Sequence, residues 1–126
     1  MSAYAIKNLM DAENLAKQDD REIRFTRKYL DSAQLGVTYQ QFAPGYTSTD
    51  GHSHEVQEEA YVVIDGSGQV KLDDETVSLK KWDVVRVAPA VVRGFDAGPD
   101  GLTLIALGGS KPEGGDGVLH EDRWPA

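Results

Sequence analysis

Two histidines one residue apart, followed by two adjacent glutamates, are the residues of this sequence best suited to bind a metal ion. Only Ser53 separates His52 from His54, and Glu58 and Glu59 follow soon after. Side chains two apart in a strand point to the same face, so the spacing predicts two imidazoles side by side. A strand that opens with Glu58 and Glu59 can direct one of its two carboxylates towards them.

Two neutral imidazoles and one carboxylate form a donor set that first-row divalent cations accept, with coordination positions left for water or substrate. A metal bound in this way lowers the pKa of a coordinated water, polarises a carbonyl or enolate oxygen or, if it is iron, activates dioxygen. The sequence contains no cysteine, which excludes disulfides, thiolate nucleophiles, iron–sulfur clusters and cysteine-based zinc sites. The third histidine, His120, is expected on the surface.

The elements that must position these residues are expected to be short strands. A helix is predicted only over residues 9–18, where the composition suits one. From Glu22 to Tyr29 the residues alternate with a period of two, and strand-like runs then recur between turn sequences such as that of residues 65–68. This regular spacing is typical of an antiparallel sandwich or closed barrel, and it excludes a parallel α/β architecture.

Length and charge narrow the class of protein. A chain of 126 residues is long enough for one compact domain with a core. With 21 acidic and 13 basic residues the net charge is −8, so neither nucleic acid nor an anionic membrane surface is an expected partner. The N-terminal residues lack the charged and apolar regions of a secretory signal, and a cytoplasmic location is expected.

The segment over residues 45–66 resembles the first motif of the cupin family. That motif consists of a glycine, two histidines one residue apart, a glutamate, six residues and a glycine, an order met here by Gly45, His52, His54, Glu59 and Gly66. The resemblance implies that Glu59 rather than Glu58 is the third metal ligand. It also implies an all-β fold, the cupin double-stranded β-helix (jelly-roll) barrel with a short N-terminal helix. Residues 1–126 would form a single cupin domain, with the barrel core at about 22–108 and a C-terminal tail over 109–126.

The second cupin motif is expected over residues 82–95, where the order of turn, strand, proline and strand is kept. Trp82 and Ala90 stand where the family has glycines, and Arg93 stands where it has the fourth ligand, a histidine. Arginine cannot replace that ligand, because its guanidinium is protonated and has no free lone pair. An outward Arg93 would be an ordinary strand cation. An inward one would either hold an anionic substrate beside the metal or pair with Glu59 and make the metal unnecessary.

The resemblance implies a metal-binding protein that recognises a small molecule. One hypothesis is a metal-dependent enzyme of the oxygenase, isomerase or decarboxylase type, acting on a small polar or carboxylated molecule. The metal would be iron, manganese, nickel, copper or zinc, since all accept this donor set. A second hypothesis is a metal-free binding or sensor protein with an Arg93–Glu59 pair, and a third is a structural or partner-binding barrel. The residues expected to contact a ligand are Arg93, Tyr61, Gln41 and Phe95.

A homodimer is expected from the number of aliphatic residues in the strands. A small barrel needs aliphatic residues on one face only. Four would lie on its outer face if they point outwards, namely Val62, Ile64, Val84 and Val87. Contact through an outer strand would cover them. The sequence therefore predicts a dimer with a small-molecule ligand as its other partner.

Overall fold

The computed structural model describes residues 3–125, and most of this part of the chain is extended. Its strands are β1 Arg21–Phe25, β2 Gly36–Phe42, β3 Gly51–His54, β4 Glu59–Leu72, β5 Glu75–Lys80, β6 Val84–Val87, β7 Arg93–Gly108 and β8 Gly117–His120. The helical elements are a 3-10 turn over Leu9–Asp11 and a one-turn helix, α1, over Arg27–Leu30. The expected all-β architecture with a short N-terminal helical turn is confirmed.

The strands form one curled, antiparallel sheet of eight strands. β7 lies at its centre, because it pairs with β2, β3 and β4. β4 also pairs with β5 and β6, while β1 pairs with β2 and β8 pairs with β3. This topology places β3, which carries both histidines, between β7 and the C-terminal strand β8.

Two long strands replace pairs of shorter strands that the turn sequences suggest. β4 continues through residues 65–68, with register shifts relative to β7 on both sides of Gly66. Gly66 has a φ of 73°, and a Cβ atom there would lie 2.1 Å from the carbonyl oxygen of Gly101. The glycines therefore serve a bend within a continuous strand, where the two backbones approach closely, rather than a reversal of the chain.

The core lies on the concave face of the sheet. Alternate residues of β4 and β7 point inwards, as their period of two requires. The core residues are Phe42, Tyr61, Val63, Val70, Leu79, Val87, Phe95, Leu102, Leu104 and Ala106. Phe95 links this cluster to the site described below, because its ring contacts those of Tyr61 and Phe42 at centroid distances of 4.9 and 5.9 Å.

The N-terminal segment is less helical than its composition suggests. Beyond Asp11 the chain is irregular as far as residue 20, and Asn14 forms an isolated β-bridge with Arg24. The Arg24 guanidinium also donates to the carbonyl oxygen of Ala12 at 2.6 Å. Contacts with β1 therefore override a weak helix propensity in residues 12–18. No helix within residues 3–125 is long and apolar enough to cross a membrane.

The alternating pattern of residues 22–29 ends as a strand at Phe25. The chain then turns through α1, which Asp31 ends in a left-handed conformation at a φ of 51°. The Arg27 side chain donates to the carbonyl oxygen of Gly109 at 3.0 Å and packs over Gly36. The Arg27 side chain therefore contacts other parts of the chain at the turn that leads from β1 to β2.

One of the four residues behind the homodimer prediction does not point outwards. Val87 is 2% exposed and belongs to the core, because β6 alternates with Val85 and Val87 on its inner side. Val84 is 64% exposed, and Val62 and Ile64 are half-buried. The homodimer stays a prediction.

Candidate metal centre

The two histidines of β3 lie side by side on the face expected from their spacing. Their ring centroids are 5.3 Å apart, and the rings are nearly perpendicular, at 87°. His52 is the cross-strand partner of Arg93 in β7 and of Leu119 in β8. Ser53 points the other way and lies 2.9 Å from Nε2 of His120, so His120 belongs to the opposite side of the strand.

Glu59, the first residue of β4, meets both histidines with one carboxylate oxygen. Its Oε1 lies 3.1 Å from Nε2 of His54 and 3.6 Å from Nε2 of His52, and it accepts a hydrogen bond from the Tyr61 hydroxyl. Burial would by itself raise the pKa of Glu59, but the contact with His52, the hydrogen bond from Tyr61 and the charges of the histidines lower it to about 2. The carboxylate is therefore ionised at neutral pH.

Glu58 takes no part in this cluster. Its side chain is 63% exposed and faces Arg86 across the strands at 3.4 Å. The two adjacent glutamates thus point to opposite faces of β4, as the alternation of a strand requires. The structure brings Glu59, and not Glu58, to the histidines.

Asp116 contacts the other nitrogen of His54. It lies directly before β8, and its Oδ1 is 2.9 Å from Nδ1 of His54. Its Oδ2 accepts hydrogen bonds from the backbone amides of Val56 and Gln57 at 2.7 and 2.8 Å. The sequence does not single out this residue, because it stands among glycines far along the chain from His54, and only the pairing of β8 with β3 brings the two together.

Arg93 points into the barrel, and its side chain has no solvent-exposed surface. One terminal nitrogen, Nη2, donates to the carbonyl oxygen of Ala88 at 3.0 Å. The other, Nη1, lies 4.0 Å from Oε1 of Glu59 and, like Nε, has no hydrogen-bond partner among the described residues. A buried cation with two unsatisfied donors therefore lies beside the histidine–glutamate cluster.

A cavity of about 510 Å³ opens next to this cluster. Among the residues that line it are His52, Arg93, Phe95 and the stacked pair Phe42 and Tyr46, whose ring centroids are 4.8 Å apart. His52 is the candidate ligand that lines this cavity, and its side chain is 41% exposed. It is large enough for a small organic molecule.

Of the other residues expected to contact a ligand, Tyr61 lies at the cluster but Gln41 does not. Tyr61 is 1% exposed and reaches Glu59 through its hydroxyl, whose pKa is raised well above the ordinary value chiefly by burial. Gln41 lies on the outer, exposed side of β2. Its neighbour Gln40 lines the cavity instead, because inward positions on β2 share the parity of Phe42.

Comparison with known families explains this arrangement. The family model described as the cupin domain matches residues 38–106, which is more than half of the chain. The chain belongs to the cupin family. None of the curated proteins compared with it matches.

Solved structures of other cupin-like chains share the fold. KdgF from Halomonas sp. superposes with a TM-score of 0.68 at 17% identity, covering 83% of this chain and 94% of its own. The polyketide cyclase RemF from Streptomyces resistomycificus gives 0.74 at 14% identity, with 93% and 84% covered. A tryptophan-to-tyrosine variant of the oxalate decarboxylase of Bacillus subtilis gives 0.69 at 17% identity, with 84% of this chain but 30% of its own covered. At these identities the likeness shows the cupin fold alone.

The donor set of this cupin fits a divalent metal ion. His52, His54 and Glu59 each offer one ligand atom, and the three atoms lie within 4.8 Å of one another. Two imidazole nitrogens and an ionised carboxylate are donors that first-row divalent cations accept. The cupin therefore has a group of three residues that could hold a metal. Arg93 stands where the second cupin motif has a fourth ligand.

Proposed function

We propose that this cupin is a metal-dependent enzyme that acts on a small carboxylated molecule. The observation that carries the proposal is the juxtaposition of three metal-ligating atoms within 4.8 Å with a buried guanidinium that has two unpartnered donor nitrogens. The reaction would be of the oxygenase, isomerase or decarboxylase type. Fold likeness to an oxalate decarboxylase and a polyketide cyclase agrees with a catalytic role but selects no reaction.

In this proposal His52, His54 and Glu59 hold the metal. When bound, a divalent ion supplies Lewis-acid polarisation of a substrate carbonyl, carboxylate or enolate oxygen. The chain contributes the ionised state of Glu59, which the Tyr61 hydroxyl supports by donating to Oε1. Iron, manganese, nickel, copper and zinc all accept this donor set, so its residue types do not select one of them.

Arg93 supplies the charge that favours an anionic substrate. A guanidinium stays protonated in proteins, and burial makes an unsatisfied donor costly, so a carboxylate that pairs with Nη1 or Nε would be bound strongly. The side chain has no exposed surface, although it borders the cavity. A substrate carboxylate would therefore reach the guanidinium from the cavity side by displacing neighbouring side chains slightly.

The cavity walls suit a compact, partly apolar molecule. Phe42, Tyr46 and Phe95 form an aromatic wall, while Gln40 and His52 contribute polar groups. Charged side chains line another part of the cavity, and polar groups of this kind orient a small ligand. The aromatic side chains would also exclude water from the reacting atoms.

The 4.0 Å separation of Arg93 Nη1 from Glu59 Oε1 favours a second candidate function. If the guanidinium neutralises Glu59, the cupin is a binding or sensor protein without a metal. The surroundings of Glu59 argue against this role, since its Oε1 already accepts from the Tyr61 hydroxyl and lies closer to Nε2 of His54, at 3.1 Å, than to Arg93. No hydrogen bond joins Arg93 to Glu59 among the described residues.

The decisive experiment measures metal content after mild purification. The wild-type protein is expected to hold close to one equivalent of a divalent metal, and His54→Ala and Glu59→Gln are expected to hold less than a tenth. Matched controls are His120→Ala and Glu58→Gln, since both parent residues lie outside the cluster and should leave the metal content unchanged. Less than a tenth of an equivalent in the wild-type protein, even after incubation with each candidate ion, would favour the metal-free alternative.

A further inference from the structure

The Asp116 carboxylate is a buried group that the proposed function does not use. Its side chain is 1% exposed, yet it contacts three nitrogen atoms: Nδ1 of His54 and the backbone amides of Val56 and Gln57. Its Oδ2 accepts from the two amides, and its Oδ1 faces Nδ1 of His54. An ionised carboxylate can only accept hydrogen bonds.

The fold holds Asp116 in place from several directions. Gly114 and Gly115, both at positive φ, lead the chain into it, and the next residue begins β8. The carbonyl oxygen of Asp116 also accepts from the amide of Glu55 at 3.2 Å. Because β8 pairs with β3 directly at His54, the carboxylate is fixed relative to the imidazole ring.

The two nitrogens of His54 face different carboxylates, so a neutral ring has to keep its proton on one of them. Nδ1 faces Asp116 at 2.9 Å, and Nε2 faces Glu59 at 3.1 Å. Glu59 is more exposed, at 14% against 1%, and the oxygen that faces His54 already accepts from Tyr61. A hydrogen bond is stronger in the less solvated environment, which favours keeping the proton on Nδ1.

We propose that Asp116 is a positioning residue that fixes the tautomer and ring orientation of His54, leaving the Nε2 lone pair free for a metal. The inference rests on the proposed function for its biological purpose, although the tautomer can be measured without any metal. Carboxylates that orient metal-binding histidines in this way commonly change metal affinity by about 10–100-fold when they are removed. The C-terminal tail thereby becomes part of the metal centre.

Asp116→Asn is the sharpest test, because it keeps the size of the side chain and changes only its donors. The amide oxygen is expected to accept from the Val56 and Gln57 amides, since that orientation satisfies two backbone donors rather than one ring nitrogen. The NH2 group then faces Nδ1 of His54 and donates to it. The neutral ring must therefore carry its proton on Nε2, which blocks that nitrogen for a metal.

The first measurement is ¹⁵N NMR of the imidazole nitrogens in the metal-free protein, read on the neutral ring. We expect the proton on Nδ1 in the wild-type protein and on Nε2 in Asp116→Asn. The second measurement is the affinity for Zn²⁺ and Mn²⁺, which should fall about 10–100-fold in Asp116→Asn. A purely structural role would lower the melting temperature without changing the tautomer.

The matched control is Ser53→Ala, which removes the contact with His120 on the opposite face of the same strand pair. It is expected to leave the His54 tautomer and the metal affinity unchanged. The inference is overturned if Asp116→Asn is folded and keeps the wild-type tautomer. If the wild-type protein binds no metal but the tautomer of His54 still differs between it and Asp116→Asn, the result contradicts the proposed function and still supports the role of Asp116.

Discussion

Arg93 and His52 are cross-strand partners in the β3–β7 pairing, so the residue at the fourth corner of the cupin site is held directly beside a candidate ligand. The guanidinium is fully buried there and approaches Glu59 to 4.0 Å. A position that could complete a four-ligand site instead carries a permanent positive charge. The consequences of this exchange can be measured.

A histidine at position 93 should strengthen metal binding. In Arg93→His a neutral donor replaces a cation, which removes charge repulsion and offers another ligand. We expect the dissociation constant for Zn²⁺ or Mn²⁺ to fall by at least about tenfold, or ~1.4 kcal/mol, as measured by competition with a chelating dye. Arg86→His is the control, because Arg86 lies on the outer face and is 68% exposed. Equal metal affinities in Arg93→His and Arg86→His would show that a histidine at position 93 does not act as a further ligand.

Removing the charge at Arg93 separates the two candidate functions. Arg93→Met keeps much of the stem and deletes two buried donors that have no partner, but it also deletes the Nη2 hydrogen bond to Ala88, so we expect a melting temperature close to that of the wild-type protein. Thermal shifts with small mono- and dicarboxylates should be present in the wild-type protein and lost in the variant, since a ligand of the native state stabilises it. A large fall in melting temperature would instead indicate a stabilising Arg93–Glu59 pair.

The hydroxyl of Tyr61 should contribute measurably to stability and to metal affinity. Tyr61→Phe preserves the packing against Phe95 and removes the donor to the half-buried carboxylate of Glu59. Hydrogen bonds to charged groups contribute about 1.5–3 kcal/mol, so urea unfolding of the metal-free variant should show a loss of this order. Tyr39→Phe is a suitable control, because Tyr39 lies on the outer side of β2. A loss no larger than that of the control would show that the contact is energetically unimportant.

The local part of the site could be predicted from strand alternation together with the resemblance to the first cupin motif. A period of two places His52 and His54 on one face and directs one of two adjacent glutamates towards them. The choice of Glu59 over Glu58, and the position of the site inside a cupin barrel, follow from the resemblance. Gln41 shows the limit of such reasoning, since choosing it instead of Gln40 required knowing which face of β2 was inward, and a shift of one residue reverses that choice.

Long-range contacts could not be predicted in this way. Asp116 reaches His54 across 62 positions of the chain, through a strand pairing that no local pattern specifies. The inward orientation of Arg93 likewise depends on the register of β7, because a charged residue on a strand is ordinarily solvated. Gly66 and Gly68 suggest a turn, whereas the close backbones of Gly101 and Asp96, respectively, make them necessary inside a bent strand.

The close approach of Gly66 to Gly101 at the bend of β4 can be tested by substitution. Gly66 and Gly45 both have positive φ, at 73° and 79°, so alanine at either position is strained by backbone conformation, at a cost of about 1–2 kcal/mol. Only at Gly66 would the new Cβ atom also meet a carbonyl oxygen, at 2.1 Å, while nothing lies within 4 Å of a Cβ at Gly45. Gly66→Ala should therefore lower the free energy of unfolding by at least about 2 kcal/mol more than Gly45→Ala, as measured by urea denaturation. Similar losses of unfolding free energy in the two variants would mean that β4 and β7 can move apart at the bend without cost. Gly66 would then be required only for its positive φ.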